Sequence, residues 1–301
     1  MIEPSCHVRI NWDHFRRNIE ALKKKGHALM PVIKADAYGH GVREAAAVLE
    51  EEGIGWAAAG TLKEAAVVRD AGFTGNIVAL LSRVPEMEDV RLACEKRLAP
   101  LIHNREGLLA VKDAVRRLNA AKPLDIAVKV ETGMGRLGFR LEDMEKVADF
   151  LAHSPELSPL VQVSHFAVAD VPEESGYTRA QCDVFYRAAA VMHQKFPAMR
   201  CSLGNTAGLA EGVTERDDIC RPGIALYGYD PLYGTAHEGT CGPLLPVMEV
   251  SAPLISVHPL HKGESVGYGR TFRADSERTV GWAAIRRPAP ACASTANACP
   301  S

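Results

Sequence analysis

The sequence predicts an α/β fold, a (β/α)8 barrel of the TIM-like kind followed by a second, β-structured region. Short apolar segments alternate with amphipathic helical stretches from about residue 12 to about residue 230, giving eight βα pairs. After Tyr229 the chain becomes rich in proline, glycine and β-branched residues, as in 248–258, and lacks a long helical pattern. A doubly wound open sheet is the alternative arrangement of the same units.

Each predicted strand is a short apolar segment bounded by turn residues. In chain order the strands are residues 28–33, 56–59, 77–81, 98–102, 126–130, 160–166, 201–204 and 219–226.

The helices between these strands show helical spacing of apolar residues and recognisable ends. Thr61 and Glu64 have the spacing of a capping box at a helix start. Gly26, Gly53 and Gly72 stand where helix C-caps belong. The clearest apolar repeats are Phe15, Ile19 and Leu22, then Leu108, Val111, Val115 and Leu118.

Composition predicts an ordinary soluble protein of the cytoplasm. The formal charge of −2 gives no basic footprint for nucleic acid or a membrane surface, and we expect neither partner. The N-terminus lacks a signal-peptide pattern, and no apolar run is long enough to span a membrane. None of the eight cysteines forms a C-x-x-C pair, so we expect reduced thiols and no metal site.

The most informative segment follows the first predicted strand and reads Val-Ile-Lys-Ala-Asp-Ala-Tyr-Gly-His-Gly over residues 32–41. A desolvated lysine at the mouth of a strand is a candidate Schiff-base former, because its free amine can attack an aldehyde. The alternative is a solvated lysine that ends the strand. This segment resembles the lysine motif of alanine racemases, which bind pyridoxal phosphate (PLP). The resemblance implies that Lys34 bonds to the cofactor and that Tyr38 donates to its phosphate.

A second segment, residues 129–138, contains the spacing G-x-G-x-x-G after the fifth strand. A dinucleotide-binding loop is the alternative, but it belongs after a first strand. The segment resembles the racemase loop whose arginine approaches the cofactor and the substrate carboxylate, which assigns that role to Arg136. Glu131 replaces the aspartate of the family. Lys129 occupies a position that is carbamylated in some members.

The ends of strands six and seven carry further candidates. His165 matches the family's strand-six histidine, which orients a catalytic tyrosine and an arginine; a core histidine is the alternative. Asn205 and Thr206 resemble an Asn-Ser segment that binds the cofactor phosphate, with a polar turn as the alternative.

The segment Arg-Pro-Gly-Ile-Ala-Leu-Tyr-Gly, residues 221–228, is a second strong match to the family. Gly223 and Ile224 can present backbone N–H groups to the phosphate, as barrels often do near strands seven and eight. The resemblance places Arg221 at the pyridine nitrogen. A permanently charged arginine keeps that nitrogen unprotonated, which favours racemisation over transamination.

Racemisation needs acid/base groups on both faces of Cα. Lys34 is one, and the resemblance assigns the other to Tyr268, which the partner subunit supplies in the family; a strand aromatic beside a glycine turn is the alternative. All these motifs fall at predicted strand ends, as a barrel site requires.

The resemblance implies three segments. They are a PLP-binding barrel at 12–230, a partial β-domain made of 1–11 and 231–285, and a tail at 286–301 that lacks apolar periodicity and resembles a foreign or out-of-frame ending. The implied activity is conversion of L-alanine to D-alanine for peptidoglycan by a homodimer. The shortened β-domain leaves open a PLP-binding protein with impaired dimerisation and catalysis. A broad-specificity racemase or decarboxylase of the same barrel type is a further alternative.

Overall fold

The computed structural model describes residues 6–81 and 83–283, and the tail predicted at 286–301 lies outside them. The chain forms two compact units. The larger is Asn11–Val247, and the smaller contains the first strand together with the strands after residue 247. No helix within the described ranges is both long and apolar enough to cross a membrane.

The larger unit alternates strands and helices along its whole length. Its strands are β2 (Ala28–Leu29), β3 (Trp56–Ala59), β4 (Asn76–Ala79), β5 (Ala99–Ile102), β6 (Leu124–Lys129), β7 (Leu157–Val163), β8 (Arg200–Ser202) and β9 (Ile219–Cys220). Its helices are α1 (Trp12–Lys23), α2 (Lys34–Gly39), α3 (Val42–Glu51), α4 (Leu62–Asp70), α5 (Met87–Lys96), α6 (Arg105–Arg117), α7 (Met144–Ala152), α8 (Ser175–His193) and α9 (Thr206–Ala210).

The strands form a parallel barrel, which confirms the predicted fold class. Strands β3 to β8 make a six-stranded parallel sheet in chain order, and β2 pairs in parallel with β9. A bridge between Val32 and Ala58 joins the β2 side to β3. On the other side, the backbone N–H of Asp218 donates to Cys201 O (3.0 Å), and that of Arg221 donates to Gly204 O (2.8 Å). These bonds close the ring without leaving an open sheet edge.

Apolar side chains fill the barrel and attach the helices to it. Met30, Val32, Ala58, Val78 and Ala127 belong to one buried cluster in the barrel interior. The predicted apolar repeat of α1 is buried against the barrel, and the capping box at the start of α4 forms as predicted. The helices are therefore fixed mainly by burial of one face.

Two predicted strands are longer by four or more residues in the sequence pattern than in the structure. The segment 219–226 is a strand only over Ile219–Cys220, because Pro222 lacks an N–H and the chain turns at Gly223 into a short helical turn, Ile224–Tyr227. The segment 28–33 has regular pairing only over Ala28–Leu29, although Met30 and Val32 still donate to Cys220 O and Pro222 O. Both irregular ends lie where the cavity described below opens.

The smaller unit is antiparallel. It contains β1 (His7–Ile10), β10 (Met248–Ser251), β11 (Leu254–Leu260), β12 (Ser265–Val266), β13 (Phe272–Arg273) and β14 (Arg278–Ala283). Strand β1 pairs with β10, β11 with β14, and β12 with β13. The N-terminal strand thus pairs with a strand of the C-terminal β region.

Candidate active site

The lysine motif forms a single turn of left-handed helix. Residues 35–38 all have φ between 52° and 54°, although none of them is glycine. Side chains in this conformation cost about 1–2 kcal/mol per residue. Strain held by the surrounding structure is typical of functional sites.

Glu64 and Asp36 hold this turn in place. Glu64 accepts hydrogen bonds from the backbone N–H of Ala35 (3.3 Å) and Gly60 (2.7 Å), and it also caps α4. The carboxylate of Asp36 accepts from Val42 N at 2.8 Å. The turn is therefore tied to the two helices that follow it.

A cavity of about 700 Å³ lies at the C-terminal ends of the strands. It brings together ten of the eleven residues that the sequence singled out. These are Lys34, Tyr38, Lys129, Arg136, His165, Asn205, Thr206, Arg221, Gly223 and Ile224.

Glu131 organises the loop that carries Arg136. Its carboxylate accepts from the backbone N–H of Gly133 (2.5 Å) and Arg136 (3.0 Å). Burial raises the pKa of Glu131, but backbone hydrogen bonds from Gly135, Gly133 and Arg136 outweigh it and lower the pKa. The longer side chain that replaces the family's aspartate therefore still closes the loop, and Arg136 lines the cavity.

Lys129 is buried at the end of β6, with 5% of its surface exposed. Burial, and then the charges of Arg221 and Arg136, lower the pKa of Lys129 to about 7. A large fraction of this amine is therefore unprotonated at neutral pH.

Arg221 is a buried cation at the cavity wall, 4% exposed. Its guanidinium donates to Ser202 O (2.5 Å), Leu203 O (3.2 Å) and Ser164 O. Burial lowers the pKa of Arg221 to about 10, so it stays charged at neutral pH.

His165 is the neutral neighbour of this arginine. Its Nδ1 lies 3.5 Å from Arg221 Nη2, and burial followed by the charge of Arg221 lowers the pKa of His165 to about 3. Because the guanidinium can only donate, this contact favours the tautomer in which Nδ1 is the acceptor and the ring proton lies on Nε2.

The loops after β8 and β9 meet at a group of donors. Thr206 Oγ1 accepts from Gly223 N at 3.0 Å, so its own hydroxyl hydrogen is available to the cavity. Among the described residues, the Ile224 N–H and the Tyr38 hydroxyl have no hydrogen-bond partner. Asn205 caps α9 by accepting from Gly208 N (2.9 Å), which fixes the turn before Thr206.

Sequence reasoning missed the buried side chains that support these loops. Gln181 of α8 donates to His165 O (3.0 Å) and Thr132 Oγ1 (3.1 Å), and it accepts from Ala167 N (2.9 Å). It thereby links the segment of His165, which follows β7, to the loop that carries Arg136. No motif surrounds Gln181, so the sequence carried no signal for it.

Tyr227 is a second supporting residue. Its hydroxyl donates to Val32 O at 3.1 Å, and its ring packs edge-on against Tyr38, with centroids 5.2 Å apart. Its position inside the 221–228 motif is the sequence feature that could have identified Tyr227 as a supporting residue.

The described lining of the cavity comes entirely from the larger unit, and Tyr268 belongs to the smaller one. Gly267 and Gly269 have positive φ and form a turn that leaves the Tyr268 ring fully exposed. Its catalytic role stays a prediction.

The cavity suits a phosphorylated, carboxylate-bearing ligand. The basic side chains of Lys34, Arg136 and Arg221, together with the partly protonated Lys129, line it, against the two acids Asp170 and Asp230. The free donors beside Gly223 can bind phosphate oxygens. No group of three or more metal-ligating side chains exists in the part of the chain that the structure describes.

Comparison with known proteins agrees with this geometry. The family model of the alanine racemase N-terminal domain matches residues 10–231. An alanine racemase of Nitratidesulfovibrio vulgaris is 42% identical over 273 residues, covering 91% of this chain and 72% of the relative. One from Lawsonia intracellularis is 37% identical over 280 residues, covering 93% and 73%.

Solved structures are similar as well. The alanine racemase of Streptomyces lavendulae superposes with a TM-score of 0.80 at 28% identity, covering 93% of this chain and 74% of that one. The biosynthetic alanine racemase of Pseudomonas aeruginosa gives a TM-score of 0.77 at 30% identity, covering 92% and 74%.

Proposed function

The chain belongs to the alanine racemase family of isomerases, and we propose that it interconverts L-alanine and D-alanine with PLP bound in the barrel cavity. One observation carries the proposal. The cavity gathers an amine, a buried arginine, a loop arginine and a set of free donors at the strand ends.

The residues of the cavity fit PLP by their chemistry. Lys34 supplies the primary amine that an aldehyde requires. Tyr38, Thr206 and Ile224 offer unpaired donors for a phosphate, and the surplus of cations compensates its charge. Bound through Lys34, PLP would supply an electron-withdrawing ring that acidifies the Cα–H bond of the amino acid.

Arg221 limits that electron withdrawal. It remains cationic and can donate a hydrogen bond to an unprotonated ring nitrogen, but it has no acceptor for the N–H of a protonated one, so the nitrogen would stay unprotonated. Proton return to Cα is then favoured over proton return to the cofactor. This argument selects racemisation over transamination.

Arg136 would bind the substrate carboxylate, because a guanidinium pairs with carboxylates in a bidentate manner. The Lys34 amine would exchange the proton on one face of Cα, and Tyr268 of a partner subunit would exchange it on the other. His165 would orient Tyr268 through its neutral ring, with Arg221 behind it.

Lys129 would support Arg136 as a carbamate. Its amine is partly unprotonated near pH 7 and can add CO₂, forming an N–C bond and releasing one proton. The resulting anion would lie among Arg136 and Arg221, whose charges act on Lys129 in the present structure. Addition of the mass of CO₂ in bicarbonate buffer, lost on acidification, tests this step.

The wider role follows from the product. D-alanine would serve peptidoglycan synthesis, and the enzyme would act in the cytoplasm as a homodimer.

A second candidate is PLP binding without turnover. The observation behind it is that Tyr268 does not line the cavity of its own chain, so the second proton carrier depends on a partner subunit. In that case the barrel would bind the cofactor while the second proton carrier remains out of place.

One experiment separates the candidates. L-alanine is incubated with the PLP-reconstituted protein, and the D-isomer is followed by chiral chromatography and released CO₂ by a carboxyl label. D-alanine supports racemisation, labelled CO₂ supports a decarboxylase, and PLP uptake with neither product supports the binding-only candidate. Absence of PLP uptake would overturn the proposal.

A further inference from the structure

Asp217 is a buried carboxylate outside the residues assigned above. It lies in the loop before β9 and is 6% exposed. Its Oδ2 accepts from the backbone N–H of Leu203 (2.8 Å) and Gly204 (2.6 Å), and its Oδ1 accepts from the Tyr186 hydroxyl (2.8 Å). Burial raises the pKa of Asp217, and the three hydrogen-bond donors and the charge of Arg221 oppose that effect by stabilising the ionised carboxylate.

One peptide unit connects this carboxylate to Arg221. The N–H of the Leu203–Gly204 peptide donates to Asp217, and the carbonyl of the same peptide accepts from Arg221 Nη2 at 3.2 Å. A hydrogen-bonded chain therefore runs from carboxylate through peptide to guanidinium. Bonds in such a chain polarise one another and strengthen the pair at its ends.

Among the groups that surround these hydrogen bonds, Asp217 is the acid whose charge acts on Arg221. Burial lowers the pKa of Arg221, and the charge of Asp217 is the main effect that raises it. Burial also raises the pKa of the facing thiols Cys182, Cys201 and Cys220 and of Tyr186, so these groups stay neutral near pH 7. Arg216 and Asp218 are the charged neighbours of Asp217 on the same loop, and both act on the Cys201 thiol.

The same carboxylate fixes the turn that leads to the phosphate donors. Gly204 directly precedes Asn205 and Thr206, and a Cβ at this position would lie 2.5 Å from Thr214 and 3.2 Å from Asp217 Oδ2. The turn is thus packed against Asp217 and the loop that carries it.

We infer that Asp217 is a positioning residue for the cofactor site: through the Leu203–Gly204 peptide it holds the guanidinium of Arg221 and the turn before Thr206. The inference rests on the proposed function, because Arg221 and Thr206 act on PLP only if PLP binds here.

The test compares Asp217→Asn with the matched control Asp218→Asn in the full chain. Asp218 also accepts from a backbone N–H of β8, that of Cys201 (2.8 Å), but no such peptide link joins it to Arg221. Three quantities are measured: hydrogen exchange of the segment around Gly204 without PLP, the dissociation constant of PLP, and pyruvate formed per racemisation turnover. Pyruvate reports transamination, in which the amino group of alanine passes to the cofactor.

Asp217→Asn is expected to speed exchange around Gly204 and to weaken PLP binding about tenfold to hundredfold, because hydrogen bonds to a charged partner are lost. The fraction of turnovers ending in pyruvate should rise, since Arg221 is held less firmly. Asp218→Asn should leave all three within about twofold of wild type. Equal behaviour of the two variants would overturn the inference.

Tyr186→Phe is a second variant that tests the inference if Asp217→Asn does not fold. It removes one of the three donors to Asp217 and should weaken PLP binding about threefold to tenfold, again with Asp218→Asn as the control. Tyr186→Phe indistinguishable from Asp218→Asn would refute the inference. If borohydride traps no PLP on Lys34 of the wild type, the proposed function fails instead, which separates the two failures.

Discussion

The burial of Lys129 predicts a specific dependence of stability on pH. An ordinary lysine has a pKa of 10.5, whereas the pKa of Lys129 is lowered to about 7 in the folded protein. Between these values the unfolded chain holds a proton on this amine and the folded chain does not. Stability therefore rises with pH across this window and is flat with respect to this group below about pH 7.

The magnitude follows from the linkage relation. Each unit of pKa difference corresponds to about 1.4 kcal/mol. From pH 7 to pH 9 the contribution of Lys129 to the free energy of unfolding should rise by about 2 kcal/mol. Lys129→Met removes the titrating amine with little change in length, so the variant should lack this increase.

Urea denaturation of both proteins at pH 6, 7, 8 and 9, in CO₂-free buffer and without PLP, measures the effect. The difference in the free energy of unfolding between wild type and Lys129→Met should change by about 2 kcal/mol from pH 7 to pH 9. It should remain nearly constant between pH 6 and 7. Lys122→Met, which alters an exposed lysine, is the control and should parallel wild type. Parallel curves for Lys129→Met and wild type would refute the reasoning.

Three further predictions concern the loops of the site. Ala35→Gly removes the steric strain of a left-handed residue and should leave stability unchanged or raise it. Ala47→Gly in the right-handed α3 should instead lower the free energy of unfolding by about 1 kcal/mol in thermal unfolding. Equal costs for the two variants would contradict the left-handed turn. Tyr38→Phe removes an unpaired cavity hydroxyl and should weaken PLP binding about tenfold at unchanged melting temperature; unchanged binding in a PLP titration would argue against contact with the phosphate. Gly138→Ala places a Cβ 2.4 Å from Glu131 N at a φ of +132° and should lower the free energy of unfolding by about 3 kcal/mol or more. Gly135→Ala, with open space around it, should lower it by about 1 kcal/mol. Similar denaturation midpoints for the two variants would disprove this packing.

The sequence predicted the barrel because its signals are local. The short apolar segments between helical stretches located β3, β4 and β5 within about two residues, since each buried strand is a short continuous apolar run between turns. The C-caps at Gly26, Gly53 and Gly72 all have positive φ, as glycine at a helix end predicts.

The site was predicted less completely, because its support is not local. The residues that line the cavity lie in motifs at strand ends, which is why they could be found. Asp217 and Gln181 act through contacts 13 to 49 residues away along the chain, and periodicity carries no information about such contacts. The left-handed turn was also beyond prediction, because Ala, Asp and Tyr ordinarily avoid this conformation.

The central claim is that the barrel cavity binds PLP through Lys34. The protein is incubated with PLP, reduced with borohydride and digested, and the modified peptide is identified by mass spectrometry. The account predicts a single modified lysine, Lys34, and no modification at this position in Lys34→Ala. Modification of Lys129 or of surface lysines alone, or no modification at all, would contradict it.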